Sequence, residues 1–230
     1  MHWVRELISA TIESGNMTDA FYVVNVDDIY HKFQNWQIKM RNIQPYYAVK
    51  CNNSPIVLEI LAALGIGFDC ASRAEIESVL ETGTPAAKII YANPCKSRPY
   101  LEYAKSVNVN RMTFDNVEEL QKIKELYPKA ELVLRIKVDD SHSKYHLSMK
   151  FGANMKTVPM LLQKAKDINM KVIGVSFHVG SGCESSDAYK DAILNAKIAF
   201  TLGMSLGHPM NLLDIGGGFP GGSDPKEKIL

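Results

Sequence analysis

Apolar and polar positions along the chain alternate between two rhythms. Short apolar runs of strand length occur at residues 46–49, 67–70, 89–92, 111–114, 132–136, 172–178 and 212–215, and the stretches between them carry apolar residues at helical spacing. Helix starts are signalled by Ser54 before Pro55, by Ser72 with Glu75 as a capping box, and by Asn116 with Glu119; a long apolar pattern covers residues 187–202. Strands rich in Val, Ile and Leu with helical crossovers predict parallel pairing with both faces covered. Two architectures satisfy that pattern, an open doubly wound sheet and a closed β/α barrel, and strand spacing does not choose between them. Ahead of this series lie an amphipathic helix within residues 1–15, an extra strand at residues 21–25 and a helix-like stretch at residues 27–38. Residues 139–155 are polar and read as a longer loop on the strand-end face.

Composition narrows the field of functions. The 230 residues are 46% hydrophobic and 22% charged with a net charge of +1, the makeup of a soluble globular domain with a sizeable core. There is no basic stripe for nucleic acid, and no apolar run suited to a signal or a membrane span, so small-molecule chemistry is the expectation. The cysteines Cys51, Cys70, Cys95 and Cys183 form no CxxC pair, which fits reduced thiols in the cytoplasm.

The candidate chemistry sits at strand ends, where parallel α/β folds gather ligands. Lys50 follows the apolar run Tyr46-Tyr47-Ala48-Val49. An amine dehydrated by apolar neighbours attacks an aldehyde readily; a lysine merely snorkelling at a strand end is the plainer reading. Gly216, Gly217 and Gly218 form either an anion nest or a simple tight turn. His178 lies in an apolar strand, as a face for a heteroaromatic ring or as a core histidine, and Ser181 follows in a glycine-flanked turn. Asp69 ends the second strand, where a buried carboxylate would orient the Lys50 amine. Glu75 is either a site carboxylate or the capping-box partner of Ser72. Arg135 interrupts an apolar strand and is expected to join a charge network with a ligand or with an acid such as Asp69.

The strings PYYAVKC, GFDCAS, IIYANPCK, MTFDN, LVLRI, KFGA, GVSFHVGSG and LDIGGGFPG occur in this order. Together they strongly resemble the eukaryotic ornithine decarboxylase family. The resemblance implies an alanine-racemase-like fold: a TIM-like (β/α)8 barrel that binds pyridoxal 5′-phosphate, joined to a β-domain, in a homodimer with shared active sites. By position, Lys50 resembles the Schiff-base lysine, His178 the residue stacked on the pyridoxal ring, and Ser181, Gly216, Gly217 and Gly218 the phosphate binders. Asp69, Glu75 and Arg135 match charged residues lining that site. Residues 1–40 resemble the N-terminal helix and β-domain strand with a lead-in helix, and residues 41–230 the barrel.

A family member continues for about as long again, adding the eighth strand and most of the β-domain, neither of which has a counterpart in this sequence. The chain by itself is therefore expected to be poorly stable and weakly active or inactive, with its first and seventh strands as open edges. The implied reaction is decarboxylation of a basic amino acid, L-ornithine to putrescine, with lysine or arginine as alternatives. A second reading is an antizyme-inhibitor-like regulator that binds antizyme and does no chemistry. Such relatives tend to lose the aspartate after GF and the serine after HVG, whereas Asp69 and Ser181 are retained here. Residues 97–110, where the antizyme-binding element would begin, depart from the family with Arg98, Pro99 and Glu102.

Overall fold

All seven strands expected in the main series form and pair side by side in parallel. The computed structural model describes residues 2–17 and 19–219. In chain order the sheet strands are β1 (Tyr46–Ala48), β2 (Gly67–Cys70), β3 (Ile89–Tyr91), β4 (Arg111–Phe114), β5 (Glu131–Arg135), β7 (Lys171–Ser176) and β9 (Leu212–Asp214). They lie in the order β1-β2-β3-β4-β5-β7-β9. A further pair, β6 (Ser143–Tyr145) and β8 (Ser181–Cys183), makes a separate antiparallel ribbon. Its first strand falls inside the stretch expected to be loop. Short pieces pair there because Ser143 Oγ donates to Val179 O at 2.5 Å and ties the two segments together.

The crossovers are α3 (Pro55–Ala63), α4 (Arg73–Glu81), α5 (Arg98–Ser106), α6 (Val117–Leu126), α7 (Val158–Asp167) and α8 (Ser186–Ser205). Ser72 and Asn116 cap as their spacing predicts, each side chain accepting an N–H three residues on, from Glu75 and Glu119. Ser54 does not cap α3 with its side chain, but Pro55 still sets the first turn. One stripe of α8, Ala188, Ala192, Ala196, Ala199 and Gly203, is buried, and α8 packs on β7.

Register assigns the two faces of the sheet. Asp69, Ile90, Arg111 and Glu131 lie on one rung, Thr113, Val133, Gly174 and Leu212 on another, and Arg135, Ser176 and Asp214 on a third. Period-two alternation puts all of these on one face. The opposite face carries Phe68, Ile89, Tyr91, Met112, Phe114, Leu132 and Leu134, each fully buried under the helices. The sheet is strongly curled. Arg111 Nη1 on β4 reaches the Tyr46 hydroxyl on β1 at 3.3 Å, although the two strands would be about 14 Å apart in a flat sheet at ordinary strand spacing. The concave face is therefore layered like a barrel interior: Tyr46, Arg111 and Glu131 at the N-terminal end, the apolar cluster Ile90, Val133, Ile173, Ala92 and Leu212 in the middle, and polar residues at the C-terminal end. Gly174 is required in that layer, since a Cβ there would lie 2.0 Å from Leu212 O.

The chain divides into two compact units, Met1–Ile43 and Gln44–Leu230. In the first, α1 (His2–Glu13) and α2 (Val26–Lys39) form as expected, with Asn25 capping α2 through Asp28 N–H. The strand expected at residues 21–25 does not form. Within this unit its apolar residues find no strand to pair with among the described residues.

Candidate active site

The curl brings the C-terminal ends of β1, β2, β5, β7 and β9 around one polar mouth. Lys50 occupies a 3₁₀ turn, Val49–Cys51, directly after β1 rather than the strand end itself, and buried Val49 anchors that turn. The expected dehydration of its amine is not found: the side chain is 59% exposed because the turn carries it outward. Its Nζ lies 3.9 Å from Asp69 Oδ1, the orientation expected of that pair.

Asp69 is the most unusual carboxyl of the site. Its Oδ1 is buried and takes no hydrogen bond. Burial pushes its pKa from 3.8 up to about 6; Lys50 opposes that rise, Asp214 and Glu75 add to it, and Arg135 opposes it. Glu75 resolves toward its capping role, with Oε2 accepting the Ala71 N–H at 2.6 Å, one residue ahead of the usual capping-box donor. It also adds negative potential to Asp69.

Arg135 does not pair directly with Asp69. Among the described residues no carboxylate reaches ion-pairing distance of its guanidinium, which lies 4.9 Å over the Phe151 ring. Burial lowers its pKa, while Asp115, Asp214 and Asp69 hold the charge in place from a distance. The KFGA string supplies this arrangement: Gly152 N–H donates to Asp115 Oδ2 at 2.8 Å and Ala153 bridges to Ile136.

His178 follows β7. Its Nδ1 accepts the Gly180 N–H at 2.9 Å, so the neutral ring carries its proton on Nε2. Burial, with Arg135 and Lys50 as like charges, lowers its pKa to about 4. The imidazole is uncharged at neutral pH and presents a flat apolar face. The glycine turn closes against it. A Cβ at Gly216 would lie 2.3 Å from Phe177 O, one at Gly217 3.1 Å from His178 Nε2, and one at Gly218 2.4 Å from Gly180 O. The chain is thus laid flat on the histidine segment: a Cβ is excluded by contact at Gly216 and Gly218 and fits only tightly at Gly217. Ser181 is exposed on β8, immediately after the Gly180 that touches this turn.

Asp214 belongs to this site and escaped the sequence reading. It ends β9 on the rung of Arg135 and Ser176, and its Oδ1 accepts the Gly216 N–H at 2.8 Å. Burial raises its pKa, opposed by that hydrogen bond, Arg135 and Lys50. The signal was present as an acid ending a strand directly before a glycine turn. Ser176 was also missed; its hydroxyl is buried without a hydrogen-bond partner between Arg135 and Asp214. Among the described residues no His/Cys/Asp/Glu group is arranged to hold a metal, and no helix is long and apolar enough to cross a membrane.

Comparison with known proteins agrees with this architecture. The family model "Pyridoxal-dependent decarboxylase, pyridoxal binding domain" matches residues 26–229. The probable ornithine decarboxylase of Dictyostelium discoideum is 48% identical over 223 residues, covering 97% of this chain and 48% of that protein. Antizyme inhibitor 2 of Xenopus laevis is 48% identical over 225 residues, covering 96% of this chain and 49% of that protein. Among solved structures, the arginine decarboxylase of Paramecium bursaria Chlorella virus matches with a TM-score of 0.92 and 37% identity, over 96% of this chain and 59% of that one. The chain spans about half the length of the curated relatives it matches.

Proposed function

The chain belongs to the pyridoxal-dependent decarboxylases, through their pyridoxal-binding domain, and from that membership we propose that it serves the decarboxylation of a basic amino acid, L-ornithine to putrescine. The observation that carries the proposal is the convergence of an accessible lysine, a neutral histidine face and a side-chain-free glycine turn at one end of a curled parallel sheet.

Pyridoxal 5′-phosphate is the cofactor of this family, and the residues present fit it. Asp69 Oδ1 is a buried acceptor without a hydrogen-bond partner, and a Cβ at Gly216 or Gly218 would collide with Phe177 O or Gly180 O, so that only glycine lets the backbone of this turn lie bare beside His178. Lys50 would hold the cofactor's aldehyde carbon, His178 its ring face, and the glycine turn with Ser181 its phosphate. When bound, the cofactor supplies an electron sink for the pair left behind as carbon dioxide departs.

The chain's own residues set the conditions for that chemistry. Exposure leaves the Lys50 amine open to exchange with an incoming substrate amine. Asp69, titrating near 6, orients the Lys50 ammonium when ionised and is able to hold a proton beside it in mildly acid solution. Arg135, stacked and not ion-paired, keeps positive potential at the mouth, which favours an anionic ligand. His178, kept neutral, adds stacking without a second positive charge over the ring.

The test is reconstitution. The 230-residue chain mixed with pyridoxal phosphate is expected to alter the cofactor's visible absorbance, and L-ornithine is expected to reverse the change at lower concentration than L-lysine or L-arginine. A cofactor spectrum that never changes would contradict the proposal, and equal responses to the three amino acids would contradict the choice of ornithine.

A second reading, an antizyme-inhibitor-like regulator, is supported by the 48% identity to the frog protein. Retained Asp69 and the fitted cradle favour chemistry. Antizyme capture by a chain that leaves the cofactor spectrum unchanged would favour regulation instead.

A further inference from the structure

The glycine turn is held from two sides by side chains that the motif itself does not contain. On one side Asp214 Oδ1 accepts the Gly216 N–H at 2.8 Å. On the other the Tyr189 hydroxyl donates to Gly217 O at 3.0 Å, and the same hydroxyl oxygen would lie 3.0 Å from a Cβ at Gly218. The Tyr189 ring is stacked on Phe219, with centroids 5.1 Å apart and planes 15° apart. Gly216 and Gly218 have φ of +67° and +94°, left-handed conformations that glycine visits but does not fix unaided. The Gly217 and Gly218 N–H groups meet no protein acceptor among the described residues.

Resting on the cofactor reading above, we propose that Asp214 and Tyr189 are positioning residues. They fix the turn, take Gly216 N–H out of use, and leave Gly217 and Gly218 N–H as the donors for the phosphate tail. This narrows the expectation that all three glycines donate. Gly216 contributes shape, passing flat under Phe177 O, while its amide is already spent on Asp214. A carboxylate so close to a phosphate would ordinarily repel it; here burial raises the Asp214 pKa and disfavours its charged form, while the accepted N–H, Arg135 and Lys50 oppose that rise. The arrangement also joins the two ends of the site, because Asp214 shares a rung with Ser176 and Arg135. Lengthening or removing that side chain would disturb the turn without altering a glycine.

The experiment is an inorganic phosphate titration of the chain carrying isotope-labelled glycine, read at individual amide resonances. In the unsubstituted chain Gly217 and Gly218 are expected to move and Gly216 to stay. Asp214→Asn keeps an acceptor for Gly216 and is expected to bind within about threefold of the original, whereas Asp214→Ala is expected to lose about tenfold or more, as for a lost hydrogen bond to a charged group. Tyr189→Phe keeps the ring stack and is expected to weaken phosphate by about threefold to tenfold, in line with one neutral hydrogen bond. The rescue by asparagine separates positioning from a general loss of folding. A Gly216 resonance that moves with the other two, an Asp214→Ala chain that binds as well as the original, or a titration in which no glycine moves would each overturn the inference. Cofactor attachment at Lys50 with a flat phosphate titration would sink this inference alone and leave the cofactor reading standing; moving Gly217 and Gly218 resonances without attachment at Lys50 would sink the cofactor reading, and with it the assignment of these donors to a cofactor's tail.

Discussion

Asp69 and His178 are displaced by burial in opposite senses, Asp69 up to about 6 and His178 down to about 4, and each displacement has a stability consequence. For Asp69 the folded pKa exceeds the unfolded one, so the folded state holds the proton more tightly. Its contribution is most favourable below the ordinary 3.8 and is lost as pH rises through about 6. For His178 the folded value is depressed below 6.5, so stability is lost as pH falls from there through about 4. Asp69→Asn is therefore expected to raise the melting temperature at pH 7–8, by an amount corresponding to at most about 2–3 kcal/mol for a rise from 3.8 to about 6, and to leave it unchanged near pH 4. Thermal unfolding across that pH range measures it, and a variant less stable at both ends would contradict the assignment. The His178 ring is expected to titrate by NMR with a midpoint near 4; a midpoint near 6.5 would mean an exposed imidazole. Lys50, His178 and the triple glycine were legible because local rules mark strand ends and side-chain-free turns. The exposure of Lys50 was not, since only the turn after β1 decides where the amine points. Nor was the partnership of Asp214 with Gly216, which depends on a bend two residues long.

The elements that frame the mouth are fastened by contacts far apart in sequence. Lys96, with a side chain at 0% exposure, lies in the loop after β3 and places its Nζ 2.8 Å from Glu119 Oε1, 2.6 Å from Thr113 O and 3.0 Å from Asn93 O. Glu119 also receives Lys122 at 2.6 Å, and Asn93 donates to Ala71 O at the end of β2. This network clamps the C-terminal ends of β2, β3 and β4 together. Burial lowers the Lys96 pKa, and Glu119 opposes that fall. Lys96→Met is expected to cost roughly 3–5 kcal/mol in urea unfolding, because it breaks a buried pair. Adding Glu119→Gln is expected to cost less than the sum of the single changes; full additivity would mean that the pair is not coupled. Gly174→Ala is expected to cost roughly 1–3 kcal/mol as an overpacked site, by forcing β7 from β9, and an unchanged urea midpoint would contradict the close approach at Leu212 O. Strand positions were legible from apolar runs, and the α4 and α6 starts from their caps. The starts of α5 and α7 lack a side-chain cap and begin with proline in the first turn instead. Residues 21–25 read as a strand from their apolar content, but a strand needs a neighbour, and pairing is not a local property.

At the scale of the molecule, the decisive feature is a curled sheet whose end strands, β1 and β9, do not pair with each other among the described residues. Such edges present unpaired backbone groups to any other strand. The 230-residue chain on its own is expected to self-associate, shown by a sedimentation coefficient that rises with concentration; a chain that stays monomeric at high concentration would contradict this. The concave polar mouth nevertheless assembles within these residues, since the proposed cofactor contacts, Lys50, His178, Ser181 and the glycine turn, all come from β1 to β9 and their following turns. This mouth is proposed to hold pyridoxal phosphate through Lys50, and borohydride reduction of the folded chain with pyridoxal phosphate, followed by peptide mass mapping, reads that bond itself. The predicted result is one pyridoxyl group on Lys50, lost in Gly217→Glu, where a side chain would enter the cradle beside His178. A folded chain labelled at scattered surface lysines, or not at all, would contradict it.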